Sequence, residues 1–188
     1  EKLSNSFLDA LSIKSKSTNI VSSNNTEAYE YYLKGKYKIE KHKEPEDFDI
    51  GIQLVEKAMD IDDNLIEAKV LRMRTYVLKG EFDKFNSISE KVIKIASTSN
   101  NSKYLSWAYS IKGMQLFMKF HVMDMDKNEV NLPIDGILEN INKSNDIANR
   151  NNDLEQFCRN QNFMAMVYSF LAGKKFNAEY YNKAITMN

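Results

Sequence analysis

The stretch that decides the fold runs from Gly51 to Ser97, GIQLVEKAMDIDDNLIEAKVLRMRTYVLKGEFDKFNSISEKVIKIAS. Within it Gly51 and Phe85, Ala58 and Val92, and Asp63 and Ser97 each stand 34 residues apart, at matching points of an amphipathic pattern. Apolar residues at helical spacing mark helices, and self-similarity over 34 residues marks helix-turn-helix units whose apolar faces are buried only by their neighbours. Arrays of this kind present binding surfaces more often than catalytic centres. Lys79-Gly80-Glu81-Phe82 reads as the turn inside this unit. Asn64, with Glu67 three residues on, reads as the N-cap of its first helix.

Working outward, the pattern predicts four helical hairpins. The first spans Ala28 to Asp62, with a turn near Lys43-Glu44-Pro45-Glu46 that places proline at the first helical position. The clear unit follows it, and a polar break at Ser97 to Ser102 precedes the third. That third hairpin carries Ala108, Gly113, Leu116 and Phe117, and its second helix, Gly136 to Asn149, is delayed by an insertion over 121–133. The fourth begins near Asp153, turns at Ala172-Gly173-Lys174, and ends in a helix with Phe176, Tyr180, Tyr181 and Ala184. Ahead of the hairpins, Leu3, Phe7, Leu8 and Leu11 place an amphipathic helix in residues 1–14, and residues 15–25 read as a linker. The repeat domain is thus expected over 26–188.

Composition narrows the function. Among 188 residues, 43% are apolar, enough for one continuous core, and only two prolines and six glycines interrupt regular structure. Basic and acidic residues balance at 26 each, which removes the usual electrostatic support for nucleic-acid binding. No apolar run reaches the roughly 18 to 20 residues that span a bilayer, so no membrane insertion is expected. A single cysteine, Cys158, excludes an internal disulfide and suits a reducing, cytoplasmic setting. Starting at Glu1 without methionine or signal sequence, the chain is expected to be a fragment of a longer protein; ending at Asn188 without a polar capping helix, it is expected to continue or to be covered there.

These residues resemble the tetratricopeptide repeat (TPR) family, from about Ala28 to the end. Tyr76, Gly80 and Phe82 match its pattern in the second unit, Gly113 in the third, and Ala165, Tyr168, Tyr181 and Ala184 in the fourth. Gly35 fills the family's small position in the first unit, although Lys34 and Lys38 stand at places usually apolar; Met73 replaces the small residue in the second. The steps between Gly35, Met73, Gly113 and Ala165 are 38, 40 and 52 residues, so the array is irregular. The resemblance implies an all-α, right-handed α-solenoid of about four TPR-like hairpins, preceded by one amphipathic helix and acting as a non-catalytic protein-binding scaffold. The passage from Leu3 through the linker to Thr26–Tyr37 is similar to a junction in bacterial multidomain signalling proteins. There a TPR region follows a domain such as that of adenylate or guanylate cyclase-like proteins. This likeness implies a regulatory fragment of a larger signalling protein, and no cyclase catalytic residue carries over.

The chain offers no assembled chemistry. His42 and His121 are its only histidines and have no partner at metal or triad spacing; no glycine-rich phosphate loop is present. Asp124 to Asp135 imitates a calcium loop, but Glu129 stands where the sharp turn requires glycine and Pro133 interrupts it. Asn24, Asn100 and Asn142 fit the glycosylation pattern and read as ordinary solvated positions. No catalytic residue, cofactor or metal is therefore expected.

The family resemblance places the binding face on the first helix of each pair. It would present Tyr29, Tyr32 and Lys36; then Glu67, Val70, Arg74 and Val77; then Trp107, Ser110, Met114 and Phe117; then Arg159, Asn162, Met166 and Ser169. Aromatic, methionine-rich and dotted with cations, this lining suits a protein or peptide with acidic groups, or another domain of the parent chain. Two other roles fit the sequence: a ligand-sensing domain that signals through residues 3–14, and a homodimer formed through Phe7, Leu8 and Leu11.

Overall fold

The computed structural model describes residues 25–124 and 132–175, together with 179, 182, 183 and 186; side chains of 122–124, 174 and 175 are left aside. The described residues form seven helices and no strand: α1 (Thr26–Lys41), α2 (Pro45–Ile61), α3 (Ile66–Leu78), α4 (Phe82–Thr98), α5 (Ser102–Asp124), α6 (Ile134–Arg150) and α7 (Leu154–Lys175). The amphipathic segment, nearly all of the linker, residues 125–131 of the calcium-like loop and most of the expected last helix lie outside these residues.

Several helix boundaries are written in single residues. Pro45 opens α2 at its first turn, where its missing N–H costs nothing. Gly80, at φ 70°, ends α3. The Glu81 N–H bonds back to the Tyr76 carbonyl at 2.9 Å and the Gly80 N–H to the Val77 carbonyl at 3.1 Å, closing the helix end with a left-handed residue. Asn100 and Asn152 adopt the same left-handed conformation at the ends of α4 and α6. Asn101 and Asp153 then return to Ala96 and Ala148, each at 2.9 Å. Asparagine tolerates this conformation because its short amide bonds locally.

The structure corrects three boundaries. Asn64 does not cap α3: the helix starts at Ile66, and the Asn64 N–H is held by the Asp62 carboxylate at 2.9 Å instead. Gly173 makes no turn, since α7 continues to Lys175; an interior glycine costs a helix only about 1 kcal/mol, which packing by Val167, Tyr168 and Leu171 offsets. The third hairpin's first helix also runs through His121 to Asp124, into the expected insertion.

Each helix packs on the next in sequence, and α1 also meets α3, α3 meets α5, and α5 meets α7. No other helix pairs touch among the described residues. Three apolar clusters follow one another along this order. The first joins Ala28, Tyr32, Val55 and Leu71; the next joins Val70, Met73, Phe85, Val92 and Ile111; the last joins Phe117, Ile137, Met164 and Val167. The repeat-spaced residues Ala58, Phe85 and Val92 are all fully buried, as a period that exists to bury one unit against another requires.

Candidate functional site

The odd-numbered helices α1, α3, α5 and α7 adjoin in succession and share one side of the stack. Across it, Tyr29 and Tyr32 of α1 pack at 5.6 Å between ring centres. Tyr32 is buried beside Glu67 of α3, whose residue is only 4% exposed. Burial first, and then the Glu67 carboxylate, push the Tyr32 phenol far above its ordinary value. Tyr104 of α5 donates a hydrogen bond to the same carboxylate, and burial followed by Glu67's charge raises its phenol likewise. Two neutral phenols around a buried carboxylate therefore bind three helices together at the base of this side. A carboxylate removed from water requires such partners.

Beyond this base the side opens. Tyr104 and Trp107 meet edge to face at 5.8 Å, with the Lys103 ammonium 5.3 Å from the Trp107 ring centre. Arg159 of α7 holds Glu155 at 2.6 Å. The Glu155 carboxyl is kept below its ordinary value by that hydrogen bond first, with smaller help from Lys103 and from Lys36 of α1. Lys36 is thus within electrostatic reach of α7, although α1 and α7 do not pack.

Of the residues expected on this face, Arg74, Arg159, Asn162 and Met166 are exposed, and Tyr29, Lys36, Trp107 and Met114 are half-buried. The Arg74 guanidinium makes no ion pair or hydrogen bond with the described residues. Val70, Val77 and Phe117 are corrections: at 2%, 1% and 5% exposure they belong to the core and cannot touch a partner. Tyr32 is also buried, against Glu67. The reason is geometric, because α3 is covered by α1 on one flank and α5 on the other, so only the outermost part of its face, at Arg74, remains open.

A cleft of about 330 Å³ opens between the first turns of α5 and α7 and the last turn of α6. Lys103, Trp107, Glu155 and Arg159 line it, and Ser106 and Gln156, at 1% and 4% exposure, are its buried polar members. Beneath it Asn160, fully buried, gathers α5, α6 and α7. Its amide donates to Ser144 Oγ and to Asn145 Oδ1, and its carbonyl accepts from Ser110 Oγ and Gln156 Nε2, all at 2.8 Å. One group stands outside this economy: the Trp107 indole nitrogen is buried and has no acceptor among the described residues. An unmet buried donor costs about 1–3 kcal/mol. Nothing in the sequence marks Lys103, Ser106 or Gln156 as cleft residues, since they fall outside the family's groove positions and meet only where three helices converge.

No group of three or more His, Cys, Asp or Glu side chains among the described residues is placed to hold a metal ion, and no described helix is long and apolar enough to cross a membrane. Compared with known proteins, the chain matches no family model, no curated sequence and no solved structure.

Proposed function

We propose that this chain is a non-catalytic protein-binding module, a right-handed, TPR-like α-solenoid whose odd-numbered helices offer their shared hollow to an acidic, partly apolar peptide. What carries this reading is the charge pattern of the open side: Lys36, Arg74 and Lys103 come from three successive odd-numbered helices, and none has an acidic partner at ion-pair distance among the described residues. Beside them Met114, Met166 and Trp107 supply adaptable apolar contact. The succession of helix contacts supports the solenoid, since units that touch only sequence neighbours build such a stack. In a longer signalling protein the module would regulate by recruiting a partner or by holding a neighbouring domain, as the junction resemblance suggests.

Panning a random peptide library against the full chain tests the reading. Recovered peptides should be rich in Asp and Glu, and Arg74→Ala together with Lys36→Ala should weaken them by about tenfold, roughly 1.4 kcal/mol. Failure to enrich any peptide over a bait-free control would sink it.

A further inference from the structure

We infer that residues 3–11, through their apolar stripe Leu3, Phe7, Leu8 and Leu11, dock on the exposed face of α1 at Leu33 and Tyr37 and cap the stack at that end. The inference is independent of what the odd-numbered helices bind on their shared side.

Gly35, Met73, Gly113 and Ala165 stand at one repeat position, so the residues two before and two after each of them can be compared. In α3 these are Leu71 and Thr75, both buried, and Leu71 joins Tyr32 of α1 and Val55 of α2. In α5 they are Ile111 and Gln115, again buried, with Ile111 in the cluster of Val70 from α3 and Phe85 and Val92 from α4. In α7, Phe163 sets its ring against Phe117 of α5 at 5.9 Å, and Val167 is fully buried with Ile137 of α6. Every later odd-numbered helix therefore uses these two positions on the side where the preceding pair packs.

In α1 the same positions are Leu33 and Tyr37, and they are 46% and 66% exposed. Four residues apart, they share one face of the helix. Among the described residues α1 packs only on α2 and α3, both of which follow it in the chain, so no pair lies ahead to cover this face. The stacking surface used by α3, α5 and α7 continues onto α1 and is left open there.

Two observations pick the occupant. Beside Leu33 and Tyr37, Glu30 and Lys34 pair with each other at 3.6 Å and are both exposed. A full hairpin laid on this face would strip water from that pair, which costs more than the pairing returns. One narrow amphipathic helix covers Leu33 and Tyr37 and leaves the pair hydrated. With Lys34 already held by Glu30, the face has little to draw an acidic peptide.

Residues 3–11 have the pattern required. Their apolar residues recur at steps of four, one and three, one side of a predicted helix, while Lys2, Asn5, Asp9 and Lys14 supply the other. They are also near: residues 12–24 reach about 40 Å when extended, at about 3.3 Å each, and Tyr37 lies only about 17 Å along α1 from Thr26, at about 1.5 Å per residue. A tether this short holds the segment at an effective concentration on the order of millimolar, ahead of a second copy in dilute solution. An apolar side covered and a polar side outward is what the terminal unit of a helical stack requires.

A nitroxide on Asn5→Cys tests the contact in the full chain carrying Cys158→Ser, because Cys158 is the only native cysteine. Placed on the polar side, the label leaves the apolar stripe free. It should erase the amide signals of Leu33 and Tyr37 while those of Ile111 and Gln115 stay. Phe7→Asp with Leu8→Asp should bring the lost signals back with those of α3 to α7 unmoved, whereas Phe7→Leu with Leu8→Met should not. Signal loss no greater at Leu33 and Tyr37 than at Ile111 and Gln115 would overturn the inference, as would a loss that survives the double Asp variant. Mixing nitroxide-bearing chain with an isotope-labelled chain free of nitroxide should leave every signal in place. Loss at Leu33 and Tyr37 in that mixture would overturn the inference in favour of a second copy on this face.

Discussion

The first and second hairpins close in opposite ways. In α1–α2 two glycines face each other: a Cβ on Gly35 would fall 2.7 Å from the Gly51 carbonyl oxygen, and one on Gly51 would fall 2.9 Å from that of Gly35. Backbone therefore rests on backbone. At the equivalent point of α3 stands Met73, fully buried, and α3 and α4 are joined by side chains, Met73, Val77, Phe85 and Val92. The third hairpin also closes on a glycine, but there a Cβ on Gly113 would meet the Ile141 side chain at 2.9 Å, with the Ile137 carbonyl oxygen at 3.4 Å. The same repeat position thus sets helix separation in two hairpins and fills volume in the one between them. Glycine permits approach because it has no Cβ, whereas a flexible methionine fills the gap left when helices stand further apart.

Exchanging these roles should produce the largest effect. Gly35→Met, which puts the residue of α3 into α1, has no space to enter and should cost about 4 kcal/mol or more. Urea unfolding followed by circular dichroism measures it, and a loss below that of Met73→Ala would break the contrast between the hairpins. Met73→Ala should cost about 3 kcal/mol, because a fully buried side chain leaves a cavity that the flanking α3 and α4 residues cannot close. Asn160→Ala strands the groups that meet at the α5–α6–α7 junction and should cost about 2 kcal/mol, visible in the same transition. Gly80→Ala forces a Cβ into left-handed backbone at the α3–α4 turn, and about 1 kcal/mol is expected although the space around it is open.

The smallest effect is a pH dependence at the entry to α3. The hydrogen bond from Lys69 holds the Asp63 carboxyl below its ordinary value. Since the folded-state value is the lower one, the pair's contribution is present above about pH 4 and is lost as pH falls through the folded value. The Asp63 side chain is 89% exposed, so the contribution stays below about 1 kcal/mol. Comparing urea midpoints of the parent and Asp63→Asn at pH 7 and pH 3 should show the difference at neutral pH only; equal differences at both would refute the assignment.

Much of the helical framework was legible because it depends on local rules. Pro45, Gly80 and the buried spacing of Ala58, Phe85 and Val92 mark their elements through backbone restriction and periodicity, which operate over a few residues. Gly173 misled because a glycine that permits a turn does not compel one when the helix around it is packed. The binding face was harder to read: Val70, Val77 and Phe117 sit at groove positions, yet burial depends on what covers a helix, and the covering helices are distant in sequence.

Sequence alone therefore determined the helices, many of their ends and the single-tryptophan, charge-balanced composition, all consequences of short-range sterics and hydrophobic spacing. Only the tertiary structure decided which cations stayed without acids, how Glu67 is held among tyrosines from two other helices, and that Lys103 and Trp107 share a cleft with Gln156. Those outcomes are set by distances between residues tens of positions apart, and electrostatic and hydrogen-bond energies follow distance in space, not position along the chain.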